Sequence, residues 1–567
     1  MIIHARLSSL LDNLAKKDGI MKRTLIILLS LVSPFLLNAQ IVIDWQQCYG
    51  GENNDKAEGI VEVEDGFLVC GTSKSPNSGL VECDFGNYSG GAWLIKINQV
   101  GDLIWNTCFD RCAKYVKSNG NIYLVGGGPF FETNKLGLGI RRIDKNGNTI
   151  WVRLVGNENY DFTYGADAVA TVDGGVVGCA NPCHQGGDIS RWYGGYDGWL
   201  IKLDSLGNTE WDVTMGTDRN DFVYDVYQTQ DEGYLAFLSS TSGGMPGSVA
   251  PCKPEIDFVD AMVVKVSKDG EIEWNRCYGG TGTEAFNYGI ETNDGYLLVG
   301  NTNSDDGDLE GAGYHLGHYP GGTQPRTLDI WLLRLDSDGN IIWSKCYGGA
   351  KTDTPNRVFQ NEDGGFTVFG NSESLDGDVQ SASDWPANGY QYHERGNIWT
   401  FRVDGDGNLL WERAFGSRYG APEVVNDVVK HNDREYTVAG YAPNWSEFEY
   451  FRHGDFECTN NFLCGEPGNA VYWVLHLRDV YDYDAVGENN TASESFKIYP
   501  IPTSDILIIS GGEEEYHWVL YNSIGQRVLN GSAQNERQIN VSGLSKGIYF
   551  LKINTMTRIE TLKVLIE

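Results

Sequence analysis

Apolar and polar residues alternate along two short runs that flank a turn, and the clearest copy is DIWLLRLDSDGNIIWSKCYGG at residues 329–349. Alternation with a period of two predicts half-buried strands. Between the runs, Asp338, Gly339 and Asn340 are residue types that accept the positive φ angles of a tight turn. The pattern therefore predicts a β-hairpin, with strands at residues 331–335 and 341–347.

The same hairpin recurs along the chain and is marked by a Trp in its second strand. Each interval between markers holds the same parts in the same order: a Gly-rich turn, a strand, an Asp-Gly turn, an apolar strand, a loop of variable length and the next hairpin. Four strands per repeat and seven repeats predict an all-β fold, with a seven-bladed β-propeller at residues 40–480. The markers are Trp45, Trp105, Trp151, Trp211, Trp274, Trp343 and Trp411.

The two ends of the array complement each other. No marker strand follows residues 471–478 of the last repeat, and a spare marker strand, residues 41–50, precedes the first. A closed propeller would pair these segments and leave no sheet edge open, so we expect the N-terminal strand to complete the seventh blade. A linear solenoid is the alternative arrangement of such repeats.

Antiparallel pairing places the short turns of every repeat on one face of the propeller and the long loops on the other. Loops presented by a rigid scaffold often carry binding residues, and aromatic rings bind sugars or proteins at small entropic cost. We therefore predict a glycan or protein ligand on the long-loop face, although the same rings can instead pack beneath their own loops. The predicted binding residues are Trp192, Tyr196, Tyr314, His315, His318, Trp385, Tyr392, His393 and Trp445.

Two of the long loops carry closely spaced carboxylates around a Gly, which is a pattern that can wrap Ca²⁺. These residues are Asp305, Asp306, Asp308, Asp376 and Asp378, and they make calcium the one cofactor that the sequence suggests. Asp-Gly pairs also occur in ordinary turns, which is the competing explanation. His315 and His318 form a weaker candidate for zinc, because no third fixed ligand is evident.

Length and charge narrow the functional classes. A chain of 567 residues is too long for one core, so at least two domains are expected. The formal charge of −34 argues against nucleic acid as a partner, because phosphate binding needs clustered Lys and Arg. No nucleophile elbow, HExxH or Walker loop is present, so no catalytic residue is predicted.

The N-terminal region has the features of a secretory signal. Met21, Lys22 and Arg23 precede an apolar stretch that ends in Asn-Ala-Gln, which predicts a signal peptide at residues 21–39 and cleavage between Ala39 and Gln40. The apolar stretch is too short to span a bilayer, and no later run predicts a transmembrane segment. Residues 1–20 are an upstream extension, for which an amphipathic helix is the alternative.

Cysteines are expected to form disulfides, because the chain contains 12 of them and carries an export signal. Proximity in sequence suggests Cys179–Cys183, Cys458–Cys464, Cys108–Cys112 and Cys70–Cys83 as pairs. Cys48, Cys108, Cys277 and Cys346 share one position in the repeat and are expected in part to be buried thiols.

The repeat ends before a polar stretch at residues 481–495, which predicts a linker, and residues 496–567 form a separate domain of short strands. FKIYPIP, LYNSIGQRV and INVSGLSKGIYFLKI in this tail resemble the type A C-terminal sorting domain of Bacteroidetes proteins exported by the type IX secretion system. The resemblance implies a β-sandwich, recognition by the translocon and a sorting peptidase, and a secreted or cell-surface location. An unrelated Ig-like domain is the alternative. The matching residues are Pro500, Pro502, Gly525, Leu544, Gly547, Tyr549 and Lys563, whereas Ile501 stands where the family has Asn.

The main repeat also resembles a repeat of bacterial surface proteins with the patterns DGGYxVxG and WxxKLDxxGNxxW, which implies location but no reaction. We therefore predict an exported propeller that binds a glycan or protein through its long-loop face. The alternative is a hydrolase or lyase acting on polysaccharide with carboxylates on that face or in the central channel. A purely structural role in adhesion or a surface layer is a third hypothesis.

Overall fold

The computed structural model describes residues 41–83, 90–109, 115–129, 136–156, 167–241, 247–249, 252, 259–317, 327–381, 397–415, 423–443, 470–479, 497–499, 506–510, 515–522, 527–534, 537–554 and 559–566. The chain divides into two compact units, Met1–Tyr481 and Asp482–Glu567. Within the described residues the fold is all-β, and Gly307–Leu309 forms a short 3-10 turn. The predicted signal peptide, Ala39 and Gln40 lie outside these residues, as does the predicted linker.

Strands of the first unit form antiparallel sheets of four, and the described residues contain seven of these sheets. Each sheet follows the predicted order of short turn, long loop and hairpin. Sheet I contains β2 (Asp55–Val63), β3 (Gly66–Ser73), β4 (Gly91–Ile97) and β5 (Leu103–Phe109); sheet II contains β6 (Tyr115–Asn119), β7 (Asn121–Pro129), β8 (Leu136–Ile143) and β9 (Thr149–Val155); and sheet III contains β10 (Asp167–Ala170), β11 (Val176–Ala180), β12 (Gly198–Leu203) and β13 (Thr209–Met215). Sheet IV contains β14 (Asp221–Gln228), β15 (Tyr234–Thr241), β16 (Val259–Val266) and β17 (Ile272–Tyr278), and sheet V contains β18 (Glu284–Thr292), β19 (Gly295–Thr302), β20 (Asp329–Asp336) and β21 (Ile341–Tyr347). Sheet VI contains β22 (Asp353–Gln360), β23 (Phe366–Ser372), β24 (Asn397–Val403) and β25 (Leu409–Phe415), and sheet VII contains β26 (Val424–Asn432), β27 (Glu435–Pro443), β28 (Ala470–Asp479) and the N-terminal strand β1 (Ile41–Tyr49).

The N-terminal strand pairs with the last strand of the unit. Strand β1 runs antiparallel to β28, with Cys48 opposite Trp473 and Val42 opposite Arg478. The predicted pairing of residues 41–50 with residues 471–478 is therefore confirmed.

Successive sheets meet through their first strands. Strand β2 contacts β6, and the series continues through β10, β14, β18 and β22 to β26, which contacts β2. The backbone N–H of Ile60 in sheet I donates to Asp427 Oδ2 in sheet VII over 3.1 Å, although the two residues are 367 positions apart. The contacts thus return to the sheet where they start.

The marker Trp side chains join neighbouring sheets. Trp151 Nε1 donates to Ser205 O over 3.0 Å, and Trp211 Nε1 donates to Lys268 O over 2.9 Å. In each case the acceptor lies in the last hairpin of the next sheet. The hairpin Gly lies against the indole ring, and a Cβ on Gly270 would be 2.8 Å from the ring of Trp211. The recurring Trp and the recurring Gly of the hairpin are therefore two halves of one contact.

We expect Gly270→Ala to destabilise the first unit by about 2–4 kcal/mol, measured by urea unfolding. Gly270 has a φ of +85°, where alanine costs about 1–2 kcal/mol, and the new methyl group must also displace the Trp211 ring. Gly364→Ala is the matched control, because Gly364 has a φ of +81° and no atom within 4 Å of its Cβ position. Equal losses in the two variants would show that the contact with Trp211 contributes nothing.

Strands of the second unit form two sheets around one core. The sheets are β29 (Lys497–Tyr499), β30 (Ile506–Ser510) and β33 (Arg537–Asn540), and β31 (Glu515–Asn522), β32 (Arg527–Gln534), β34 (Gly547–Asn554) and β35 (Ile559–Ile566). Leu507 and Ile509 from the first sheet share a buried cluster with Tyr516, Leu520 and other residues of the second. The tail therefore has a hydrophobic core of its own.

Disulfides are present, but the predicted pairs are wrong wherever the structure describes them. Cys83 bonds to Cys108 and Cys252 bonds to Cys277, each across 25 residues. Cys48 is also disulfide-bonded. Each of the two described bonds ties a long loop to the fourth strand of its own sheet, so strand pairing rather than sequence proximity determines the partner. Cys70, Cys179, Cys183 and Cys346 are thiols that form no disulfide, whereas Cys112, Cys458 and Cys464 lie outside the described residues.

Candidate functional site

The long loop of sheet III, residues 181–197, is anchored at several points between β11 and β12. Ile189 is buried at its centre, and Gly186 and Ile189 pair through their backbones. Ser190 N donates to Asp212 Oδ2 over 2.9 Å, which ties the loop to β13. These contacts give the loop one defined conformation at the surface.

Trp192 lies in this loop and is exposed at the surface. The side chain stacks on His184, with ring centroids 5.7 Å apart and planes 13° apart, and its Nε1 donates to Gly195 O over 3.1 Å. The residue is nevertheless 40% exposed. The indole is therefore held against His184 and is not enclosed by the protein. A ring fixed in this way can stack on a sugar without losing much side-chain entropy.

Tyr196 supports this surface from below. Its ring stacks on Phe222 at a centroid distance of 5.3 Å, and its carbonyl accepts the N–H of Asp221 over 2.6 Å. Tyr196 is only partly exposed, so its ring serves mainly for packing between sheets III and IV.

Tyr314 and His315, from the long loop of sheet V, are engaged in contacts within the protein. Tyr314 packs against the core, and its hydroxyl donates to Thr327 O over 2.7 Å. His315 Nδ1 lies 2.9 Å from Asp329 Oδ2, and its Nε2 lies 3.8 Å from Asp378 Oδ2. The hydrogen bond to Asp329 raises the pKa of His315, while burial raises the pKa of Asp329 to about 6. His315 therefore joins sheets V and VI through two carboxylates.

Four of the five aspartates predicted to bind calcium, Asp306, Asp308, Asp376 and Asp378, accept hydrogen bonds from backbone N–H groups. Asp308 Oδ2 accepts from Gly279 over 2.9 Å, and Asp376 Oδ1 accepts from Ala350 over 2.8 Å. Asp306 likewise accepts from Thr281. Within the described ranges, no group of three or more His, Cys, Asp or Glu side chains is placed to hold a metal ion. Calcium at these residues stays a prediction.

A second polar group, which the sequence analysis did not predict, lies on the first strands of the sheets. We call it the inner-strand charge cluster and define it as Lys117, Asp167, Asp225, Arg357 and Asp427. Lys117 Nζ lies 2.9 Å from Asp167 Oδ1. Arg357 bridges two sheets, with Nε 2.9 Å from Asp427 Oδ1 and a terminal nitrogen 3.4 Å from Asp225 Oδ2. The five residues come from sheets II, III, IV, VI and VII.

Burial controls the charges of this cluster. The side chain of Arg357 is 13% exposed and that of Asp225 is 6% exposed. Burial, together with the nearby Asp167 carboxylate, raises the pKa of Asp225 to about 7. The Arg357 guanidinium also lies over the Tyr288 ring at 4.8 Å. The cluster can hold sheets together, and it can also hold a proton on Asp225 near neutral pH.

A positional signal for this cluster is present in the sequence. In six repeats, one residue stands six positions before the Asp of the turn between the first two strands. Five of these six residues are charged or aromatic and belong to the cluster or contact it. The positions are occupied by Gly59, Asp167, Asp225, Tyr288, Arg357 and Asp427.

The remaining predicted site residues divide into two groups. In the tail, Tyr549 is buried and its hydroxyl donates to Ser545 O over 2.8 Å, Leu544 packs against the core, Gly547 begins β34, and Lys563 lies in β35. The others lie outside the described residues: His318, Trp385, Tyr392, His393, Trp445, Pro500, Pro502 and Gly525.

The tail indicates where the protein is delivered. Its core is built from the strands that carry Tyr549 and Lys563. Residues 497–567 match the sequence family of the secretion system C-terminal sorting domain. This sorting tail of the type IX system directs export, so the protein is secreted or located at the cell surface. No helix in the described part of the chain is long and apolar enough to cross a membrane.

Outside the tail, the similarity of the chain to other proteins is weak. No curated protein matches the chain. A subtype N10 neuraminidase-like protein of A/little yellow-shouldered bat/Guatemala/060/2010 is 7% identical, with coverage of 77% of this chain and 99% of that one and a TM-score of 0.30. An apocarotenoid oxygenase from Synechocystis is 11% identical, with coverage of 70% and 87% and a TM-score of 0.34. A putative exo-beta-1,3-galactanase from Bifidobacterium bifidum s17 is also 11% identical, with coverage of 61% and 96% and a TM-score of 0.27. TM-scores this low carry no argument about function.

Proposed function

We propose that residues 40–480 form a closed seven-bladed β-propeller and that residues 496–567 form a β-sandwich. The pairing of β1 with β28 and the series of first-strand contacts from β2 back to β2 support the closed ring. The shared core of the two tail sheets supports the sandwich. Residues 21–39 are then a signal peptide, and the type IX translocon and its sorting peptidase recognise the tail.

In the same proposal the propeller is a binding protein, and its ligand is a glycan held on the long-loop face. The observation that carries this function is Trp192, whose indole is fixed by His184 and Gly195 and is 40% exposed. Trp is enriched among the residues that contribute most to binding interfaces, and a Trp held on an ordered loop can serve as such an anchor. A planar apolar face bordered by polar groups suits the C–H face of a pyranose ring.

We expect the exported protein to bind polysaccharide fragments in a calorimetric titration and Trp192→Ala to weaken that binding at least tenfold. The loss follows because truncation of a central Trp costs about 2 kcal/mol or more in a binding site. Leu206→Ala is the control, since Leu206 is 73% exposed in the opposite hairpin of the same sheet. Unchanged affinity in the Trp192 variant, or no glycan binding by the parent protein, would overturn the proposal.

A second candidate function is polysaccharide cleavage, and one observation favours it. Asp225 lies 3.4 Å from Arg357, and burial together with the Asp167 carboxylate raises the pKa of Asp225 to about 7, so it can exchange a proton near neutral pH. Incubation with polysaccharides and assay for new reducing ends or unsaturated products separates the two functions. Products that disappear in Asp225→Asn would favour the enzyme, and binding without products would favour the lectin-like function.

A further inference from the structure

Two arginines lie next to Trp192 on the same surface. Arg191 precedes it in the loop and is exposed, and Arg219 lies in the connection between β13 and β14 and is partly exposed. Neither guanidinium makes an ion pair with any residue that the structure describes. In a chain of net charge −34, two arginines without an ion-pair partner beside one exposed Trp are a local concentration of positive charge.

Backbone contacts place the two arginines on one continuous surface. Thr214 Oγ1 donates to Arg191 O over 2.8 Å, which ties Arg191 to the end of β13. A Cβ on Gly195 would be 2.5 Å from Arg219 O, and the Gly195 carbonyl is the acceptor for the Trp192 indole. We call this surface the Trp192 patch and define it as His184, Arg191, Trp192, Tyr196 and Arg219.

The carboxylates around the patch differ in how far they offset its charge. Asp188 Oδ1 lies 3.9 Å from a terminal nitrogen of Arg153, which balances its charge, whereas Asp212 is partly exposed and accepts from Ser190 N and the Trp199 indole. Burial also raises the pKa of Asp197 to about 7, which reduces its negative charge at neutral pH. Asp218 is the exposed acidic neighbour, in the same connection as Arg219. Arg191 and Arg219 are therefore the cations of this surface, and Asp212 and Asp218 are the carboxylates that oppose them.

We infer that the ligand of the Trp192 patch is an acidic glycan, with a sugar ring stacked on Trp192 and its oxyanions bound by Arg191 and Arg219. This inference rests on the glycan-binding function proposed above and specifies its ligand class. Guanidinium groups bind carboxylate and sulfate through paired hydrogen bonds. The negative net charge of the protein disfavours acidic polymers over most of its surface, so we expect them to bind where arginines are concentrated.

The test compares each acidic oligosaccharide with a neutral form of the same ring. The probes are oligomers of galacturonate, mannuronate and glucuronate with their methyl esters, and a sulfated galactan with its desulfated form. We expect at least one acidic probe to bind the exported protein tenfold more tightly than its neutral form at 50 mM salt. We also expect this preference to shrink at 300 mM salt, because screening weakens exposed charge pairs. The uronate and sulfate arms identify which oxyanion the patch accepts.

Variants assign the preference to residues. Arg191→Gln combined with Arg219→Gln should abolish the preference for the acidic form and leave the Trp192-dependent binding of the neutral form. Lys268→Gln is the matched control, since it removes one exposed positive charge in the β16–β17 hairpin of the neighbouring sheet. Equal affinity for acidic and neutral forms, with binding still lost in Trp192→Ala, would overturn the inference and leave the proposed function standing. No binding of any probe would overturn both.

Discussion

Replacing Arg357 with methionine will lower the free energy of unfolding of the first unit by about 3–5 kcal/mol, which is the usual cost of removing one partner of a buried ion pair. Arg357 is the partner of two carboxylates, Asp225 and Asp427, and both would lose their guanidinium while they stay buried. Methionine keeps the length and most of the apolar contacts of the arginine stem. Urea unfolding at pH 8, followed by tryptophan fluorescence, measures the loss.

The control for this prediction is Arg276→Met, since Arg276 is exposed at the end of β17 and should change the stability by less than about 0.5 kcal/mol. The cost of Arg357→Met should also be smaller at pH 5.5, because a protonated Asp225 no longer needs a cation. A loss below 1 kcal/mol at pH 8 would show that the inner-strand charge cluster does not hold the sheets together.

Stability of the first unit should fall by at least about 2 kcal/mol between pH 5 and pH 8, where each pKa unit of difference between native and unfolded states is worth about 1.4 kcal/mol. Burial raises the pKa of Asp353 and Asp197 to about 7 and that of Asp329 to about 6. In the unfolded chain these groups titrate near pH 4. The native state therefore binds more protons than the unfolded state between pH 4 and pH 7, so stability falls as the pH rises through this window.

Other titratable groups also contribute to the pH dependence of stability, within this pH range and below it. His315 has a raised pKa in the native state, so its contribution is also lost as the pH rises through that value. Hydrogen bonds and the ammonium groups of Lys202 and Lys265 lower the pKa of Asp173 and Asp231 to about 2 despite partial burial. The two carboxylates therefore stabilise the fold above pH 4, and this stabilisation is lost as the pH falls from 4 through their native pKa.

Urea midpoints at unit intervals from pH 5 to pH 8 measure the pH effect. Asp353→Asn should flatten the decline, because its amide oxygen can still accept from Gly349 N and Ser374 Oγ as the carboxylate does now. A midpoint that stays constant or rises over this range would contradict the assignment of raised pKa values to these carboxylates.

Local patterns were enough to predict the sheets. The hairpin at residues 329–349 depends on alternation and on Asp336, whose Oδ1 accepts the N–H groups of Asp338 and Asn340 over 2.9 and 2.8 Å. Those contacts span four residues, so the sequence contains them directly. Pairing of β1 with β28 was predictable for another reason. The last repeat lacked its marker strand, and the N-terminal segment was the one marker strand that belonged to no repeat.

Contacts between distant repeats were not predictable in the same way. Cys83 and Cys108 are brought together by the strands on either side of a long loop. Spacing alone favoured Cys70 as the partner of Cys83 and Cys112 as the partner of Cys108. Asp225 and Arg357 are 132 residues apart, and a single charge in an apolar strand resembles a solvent-facing position. Trp192 was correctly placed on a long loop, but its stacking on His184 and its exposure depend on how the loop folds.

The most direct test of the proposed function is the ¹⁹F NMR spectrum of the exported protein labelled with 5-fluorotryptophan, with the Trp192 signal assigned by its absence in Trp192→Phe. Addition of a bound acidic oligosaccharide should shift or broaden the Trp192 signal and leave the buried Trp199, in the same sheet, unchanged. A ligand that binds while the Trp192 signal stays fixed would contradict the account.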